Sequence, residues 1–243
     1  MLFMESRGII YLPEEMLEQP FELIKINGEN IQGGLRTHKL IQGKRIELTH
    51  KRIFDVCFSS AVILLILTWL VPIIALLIKL DSRGPVFFLQ KRVGKGGLNF
   101  ICFKFRTMFV NQDPRKIERG RNDTNITGIG RFLRQSNLDE LPQFFNVFLG
   151  TMSVVGPRPH IYSDCRRFSY FIANYHDRNL FKPGITGLAQ VKGYHGPVSD
   201  QVSMFRRYHW DMIYIKKFSI LLDLKVVCKT AWQRISWLFL YIF

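Results

Sequence analysis

The sequence predicts an α+β, mainly helical chain. It would combine a re-entrant membrane helix hairpin, a compact cytosolic domain holding a small β-hairpin, and amphipathic helices lying at the membrane interface. Three observations predict this. One uncharged apolar run, Val56–Ile78, is flanked by Lys and Arg on both sides. Two segments of strand character, Val86–Arg92 and Asn99–Phe105, flank the turn Gly94-Lys95-Gly96-Gly97. The end of the chain interleaves Lys225, Lys229 and Arg234 with Trp232 and Trp237. The expected division is a soluble N-terminal extension over 1–45, the re-entrant helix region over 46–82, the compact domain over 83–218 and an interfacial helix over 219–243.

In the N-terminal extension, Gly28, Gly33, Gly34 and Gly43 interrupt any long period. The start MLFMESRG has no basic segment leading into an apolar one, so it does not read as a signal peptide. As a straight helix, Val56–Ile78 would run about 34 Å, enough to cross a bilayer core of about 30 Å. Two features favour entry and return instead. Pro72 removes a backbone bond within the run and bends it. Lys44, Arg45, Lys51 and Arg52 precede it and Lys79, Arg83, Lys91 and Arg92 follow, which places both ends on the cytoplasmic side. The expected break lies at or near Pro72.

Beyond the hairpin, Asp113–Asn125 reads as an exposed loop or short helix. In "GRFLRQSNLDELPQFFNVFLG", Leu141, Phe144, Phe145 and Phe148 recur at helical spacing, and Gly150 suits the helix end. "VVGPRPH" reads as a rigid extended turn, because each proline restricts the residue before it. Residues 161–180 form a polar-aromatic helix candidate. "KPGITGLAQVKGYHG" reads as loop and strand, and Val202–Lys217 as a basic-aromatic helix. Ser219–Phe243 suits a helix in the headgroup plane, with an ordinary core helix as the alternative.

Composition narrows the partners. The 243 residues carry a net charge of +15 and are 47% hydrophobic, which excludes disorder and leaves nucleic acid, an anionic membrane or phosphorylated small molecules. A long apolar run beside that charge favours the membrane over nucleic acid. Cys57, Cys102, Cys165 and Cys228 lie far apart with no zinc-ligand spacing, and read as separate reduced thiols. The histidines show no spacing suited to metal binding or a triad, and receive no role.

The acidic pair Asp139-Glu140 admits two readings. Asn137 followed three residues later by Glu140 has the form of a capping box, with Asp139 in the first turn. The same helix start, with Arg131 and Arg134 nearby, would also attract phosphate. A carboxylate kept ionised there can attack phosphorus if a cation such as Mg²⁺ shields the repulsion. Lys104 and Arg106 in "FKFRTM" share one strand face, as phosphate ligands or as snorkelling cations. Pro157 and Pro159 freeze the backbone around Arg158, which suits a nucleotide base or phosphate, or a plain turn.

These segments also resemble a known family. "KRIFDVCFSSAVILLILTWLVPIIALLIKLDSRGPVFFLQKRVG", "FICFKFRTM", "GRFLRQSNLDELPQFFNVFLGTMSVVGPRP", "KPGITGLAQVKGY" and "DMIYIKKFSILLDLKVVCKT" are similar to the bacterial sugar transferases, the monotopic phosphoglycosyl transferases. The resemblance runs from about Lys51 to Thr230, with "LDELPQ" and "GPRP" its most specific motifs. It implies transfer of a sugar 1-phosphate from a UDP-sugar to a membrane polyprenyl phosphate, with release of UMP, in exopolysaccharide or related glycan assembly. Asp139 would be the nucleophile and form a phosphosugar-aspartyl intermediate. Glu140 would assist in positioning or in binding the required Mg²⁺, so the metal ligands would be Asp139 and Glu140. Arg134 would hold phosphate, and Pro157, Arg158 and Pro159 would take part in nucleotide recognition. Lys104, Arg106, Lys182 and Asp211 match substrate-binding positions.

The resemblance also implies a re-entrant helix and a monotopic protein on the cytoplasmic face of the bacterial inner membrane. A second copy of the chain is a partner the sequence leaves open. Asn137 stands where the family often has Ser or Thr, Thr151 where it has an acid, Val71 where it has Ser before the proline, and "VKGYHG" departs from its Gly-Arg. Larger relatives add N-terminal spans, so the chain resembles the compact form with a soluble extension. A non-catalytic basic membrane adaptor in polysaccharide assembly would share the charge and the apolar run, but has no use for Asp139 among cations.

Overall fold

The computed structural model describes residues 45–110, 125–196 and 201–242. The expectations for the N-terminal extension and for most of the Asp113–Asn125 segment lie outside those residues. The described chain is mainly helical, with two small sheets and one long apolar helix.

That helix begins with α1, Arg45–Val62, passes through a π-helical turn at Ile63–Leu67, and continues as α2, Thr68–Asp81. Ile46–Asp81 is long and apolar enough to cross a membrane. It is not interrupted at Pro72, which sits inside α2. The irregular turn lies just before instead, and it has a packing reason. Lys51, Asp55 and Ser59 are buried at four-residue spacing, and Leu67, Ile74 and Ile78 are buried farther on. At about 100° per residue, Leu67 would fall about 80° out of phase with Ser59. The wider π turn takes up one extra residue and returns Leu67 to the same stripe. Thr68 Oγ1 donates to Leu64 O and Trp69 Nε1 to Leu65 O, both at 2.8 Å, so side chains occupy carbonyls that the irregular turn exposes.

Both ends of this helix pack on one body. From α1, Leu48, Phe54 and Phe58 join the largest core cluster, around Val147, Met152, Val155, Tyr214 and Phe218. From α2, Ile74 and Ile78 pack with Phe105 and Leu133. A buried polar set ties α1 down further. Lys51 Nζ bonds Asp223 Oδ2 at 2.5 Å, and Tyr214 OH donates to Asp223 Oδ1 at 2.8 Å. Asp55 Oδ1 accepts from Ser153 Oγ and from the Val154 amide, both at 2.9 Å.

The expected hairpin forms: β1, Phe87–Val93, pairs antiparallel with β2, Asn99–Phe105, with Phe88 opposite Lys104. Gly96 and Gly97 take φ of 68° and 78° in the turn, where glycine is the least strained residue. After α3, Gly128–Ser136, and α4, Gln143–Leu149, Gly150 ends the helix at φ 88° as its position predicted. "VVGPRPH" is not only a turn. Ser153–Val155 forms β3, which pairs in parallel with β4, Gly184–Thr186. The helix expected over 161–180 divides into α5, Tyr162–Phe171, and a 3₁₀ segment, Tyr175–Leu180. Then come the short α6, Leu188–Val191, α7, Gln201–Lys217, and α8, Ile220–Ile242. On α8, Asp223 and Val226 are buried while Leu221, Leu224, Trp232 and Ile235 are exposed. One side of this helix thus serves the core and another is open. The four cysteines are free thiols.

Candidate active site

The acidic pair sits between α3 and α4, and the capping box expected there does not form. Asn137 adopts the left-handed conformation, φ 59° and ψ 16°, and makes no side-chain cap. It closes α3 instead, its amide bonding Arg134 O at 3.3 Å, a role Asn tolerates because of its short polar side chain. Leu138–Glu140 then forms one 3₁₀ turn, and α4 starts only at Gln143. The capping box loses because Glu140 is drawn away by stronger partners.

Glu140 Oε1 accepts from Lys104 Nζ and from Arg158 Nη2, each at 2.6 Å, and Oε2 from Arg158 Nη1 at 3.2 Å. Lys104 comes from β2 and Arg158 from the proline-flanked loop after β3. Burial works to raise the Glu140 pKa, but Arg158 and Lys104 hold the carboxyl well below the usual range. Glu140 in turn raises the Arg158 pKa. Asp139 differs. It is also buried, yet no described group donates a hydrogen bond to its carboxylate. Burial, then the Glu140 charge, pushes its pKa up to about 6, with Lys104, Arg134 and Arg158 opposing. Adjacent acids are thereby made unlike: one locked as an anion, the other unengaged and titrating near neutrality.

The other sequence-predicted residues divide. Arg134 is exposed and anchored by Nε to Thr107 Oγ1 at 2.8 Å, with Nη atoms that bond no described group. Pro157 and Pro159 are buried on either side of Arg158. Arg106 turns elsewhere. Its three nitrogens donate to Pro85 O, Arg83 O and Ser82 O at 2.6, 3.0 and 2.8 Å, closing the link between α2 and β1. Lys182 lies beside Arg52 at Gly150, its pKa lowered by burial and then by Arg52. Asp211 is buried in an ion pair, its Oδ2 accepting from Arg178 Nε and Nη2 at 3.2 and 2.7 Å. The structure thus gathers Asp139, Glu140, Lys104, Arg134 and Arg158, and holds Arg106, Lys182 and Asp211 outside that group.

Sequence reasoning took Arg92 and Arg234 only as basic flank and tail charges, gave His160 no role, and did not single out Arg178. The Arg234 guanidinium on α8 has its pKa lowered by burial, while Glu140 opposes that and Arg158 adds to it, which brings the C-terminal helix into the site's field. Arg92 and Arg178 bond the backbone of the Arg158 loop. His160 is kept neutral by burial and by Arg178 and Arg207. No sequence spacing signalled them.

Among the described residues no three His, Cys, Asp or Glu side chains cluster as a metal cage. A cation that binds through one or two carboxylates and substrate phosphates needs no such cage. Asp139 supplies an unengaged carboxylate, and Glu140 Oε2 holds only one longer bond. These two groups fit Mg²⁺ in that mode.

Comparison with known proteins places the chain in a family. The bacterial sugar transferase family matches residues 46–236. A UDP-glucose:undecaprenyl-phosphate glucose-1-phosphate transferase of Klebsiella pneumoniae is 43% identical over 229 residues, covering 93% of this chain and 48% of that protein. One from Xanthomonas campestris pv. campestris is 46% identical over 174 residues, 70% of this chain and 36% of that protein. The exopolysaccharide production protein PSS of Rhizobium leguminosarum bv. phaseoli is 42% identical over 196 residues, 79% of this chain and 98% of that protein. The chain thus spans about half or less of the first two relatives. The match to residues 46–236 takes in both halves of the long apolar helix, the acidic pair and the loop that holds it, and the chain belongs to the bacterial sugar transferase family.

Proposed function

We propose that this chain is a phosphoglycosyl transferase that moves a sugar 1-phosphate from a UDP-sugar to a membrane polyprenyl phosphate. One observation carries the proposal: Asp139 is a buried carboxylate with no described partner, beside a Glu140 neutralised by Arg158 and Lys104. A purely structural acid in such a place would be paired. Sugar-1-phosphate transfer to undecaprenyl phosphate in the relatives' names supports the same reading.

In the proposed reaction an Asp139 carboxylate oxygen attacks the phosphorus that bears the sugar. The bond to the oxygen bridging the two phosphates breaks, and UMP leaves with its electrons. A phosphosugar-aspartyl ester remains. An oxygen of the polyprenyl phosphate then attacks the same phosphorus, the acyl-phosphate bond breaks, and Asp139 is restored as carboxylate. Arg134, whose Nη atoms bond no described group, and Arg158 neutralise phosphate oxygens during both displacements. Glu140 fixes Arg158 and Lys104 around the reacting group. Mg²⁺, held by Asp139, Glu140 and the substrate phosphates, would shield the charge repulsion that opposes an anionic nucleophile.

The long apolar helix would be re-entrant, with the site on the cytoplasmic face of the inner membrane in a monotopic protein. Packing of both α1 and α2 on the same body supports this, as do the basic flanks. The product would begin exopolysaccharide or related glycan assembly. Asp139→Asn should abolish UMP release from a UDP-sugar supplied with undecaprenyl phosphate. Full activity in that variant would remove Asp139 as nucleophile.

A further inference from the structure

The loop that presents Arg158 is held by its main chain at four successive points. Pro157 O accepts from the Gly184 amide at 3.0 Å, and His160 O from the Val93 amide at 2.9 Å. Between them, Arg158 O accepts from Arg178 Nη2 at 2.8 Å and Pro159 O from Arg92 Nη1 at 2.7 Å. The four donors come from β4, β1 and the 3₁₀ segment before β4. Two are arginine forks used on neutral carbonyls.

Arg178 is itself fully engaged. Nε and Nη2 bond Asp211 Oδ2, and Nη1 lies 3.2 Å from His160 Nδ1. Arg178 can only donate, so a bond here uses the lone pair of His160 Nδ1. Tyr175 OH also contacts Nδ1. Arg92 is braced in turn by Gln90 Oε1, at 3.0 Å from Nε and 2.6 Å from Nη2. Prolines at 157 and 159 remove two backbone donors and fix two φ angles. Each of the four carbonyls from Pro157 to His160 is held. What this rigid loop delivers is one side chain, Arg158, in a fork on Glu140.

We propose that Arg178 and Arg92 are positioning residues for the transfer reaction, clamping the Pro157–His160 backbone so that Arg158 engages Glu140 and leaves Asp139 unengaged. Asp211 and His160 act one step behind by orienting Arg178. The rate consequences rest on the proposed function above.

The test uses the full chain in lipid nanodiscs with a UDP-sugar and undecaprenyl phosphate. Arg178→Lys keeps a charge for Asp211 but loses the second arm. Arg92→Lys keeps the charge but loses the fork that joins Gln90 to Pro159 O at the less buried arm. Each should lower kcat about tenfold or more while moving the UDP-sugar KM less than about twofold, as expected when a catalytic group shifts by a fraction of an ångström to an ångström. In an Arg158→Lys background the same changes should cost less than about twofold, because the group they position is already compromised. Equal losses in both backgrounds would mean that they act through the fold at large, and would overturn the proposal. A second readout needs no turnover. Amide hydrogen exchange at Val93 and Gly184 should quicken at least about tenfold in both variants, with Ile215 unchanged. Unchanged exchange at both amides would overturn the clamp. A wild-type chain without turnover would sink the transferase reading and leave the exchange comparison to decide the clamp alone.

Discussion

Asp139 and Glu140 are neighbours in sequence and opposites in environment. Glu140 meets two cations, and Asp139 meets burial and its neighbour's charge. In the metal-free chain a carboxyl pushed up to about 6 is protonated below that pH, and a bound Mg²⁺ would draw it back down. Carbonyl-region infrared or ¹³C NMR titration of the metal-free chain against Asp139→Asn should show one carboxyl titrating near pH 6 that the variant lacks, and no such carboxyl would contradict the assignment. The same shift has a stability consequence of fixed sign. A carboxyl whose folded pKa is raised favours the folded state at low pH, and that advantage is lost as pH rises through about 6. Asp139→Asn should therefore melt above the wild type at pH 8 and not at pH 4. Asp139, Glu140 and Arg158 were legible because "LDELPQ" and "GPRP" keep them in short, specific motifs. Arg178 was not. Its meaning comes from Arg158 O and Asp211, 20 and 33 residues away, and no local pattern encodes a buried cation's acceptors.

At the scale of elements, the long apolar helix, the hairpin, α4 with its Gly150 stop, α7 and α8 follow from periodicity and turn residues. The capping box did not, because a local rule for Glu140 competes with two tertiary ion pairs and loses. The parallel pair β3–β4 was hidden for another reason. Strands of three residues carry too little alternation to register, and their partners are 31 positions apart. Glycine is required where they meet: a Cβ on Gly184 would fall 2.1 Å from Gly156 N. Gly184→Ala should cost about 3 kcal/mol or more in chemical unfolding, the upper range for overpacking. It should also slow turnover, since Gly184 donates to Pro157 O at the head of the Arg158 loop. A variant of wild-type stability and rate would mean that the crossing yields without cost.

For the molecule as a whole, the decisive matter is the proposed re-entrant placement of the long apolar helix. Ile46 and Leu80 are 74% and 75% exposed near its two ends. Cysteines placed singly at these positions, in a background with Cys57 and Cys228 changed to Ser, should both react with an impermeant maleimide in inverted vesicles and resist it in intact cells. Labelling from opposite sides would restore a spanning helix. In the sequence, the charge flanks are what point to a return. The π turn was not legible, since it adjusts the phase of a stripe whose buried members are known only once the body is folded.

The ion pair Lys51–Asp223 and the Asp55 bonds to Ser153 and Val154 give that helix a second identity. An anchor that only tethers can be cut away or exchanged for another hydrophobic segment. This one supplies the counter-charge of a carboxylate that is 0% exposed and the acceptor of a strand amide next to the Arg158 loop. Removing the long helix would leave Asp223 without its lysine and Val154 without its acceptor, each at a cost of about 1–3 kcal/mol or more. The start of that helix is thus part of the folded body's interior, and it runs on directly into the apolar stretch that the proposed reading places in lipid.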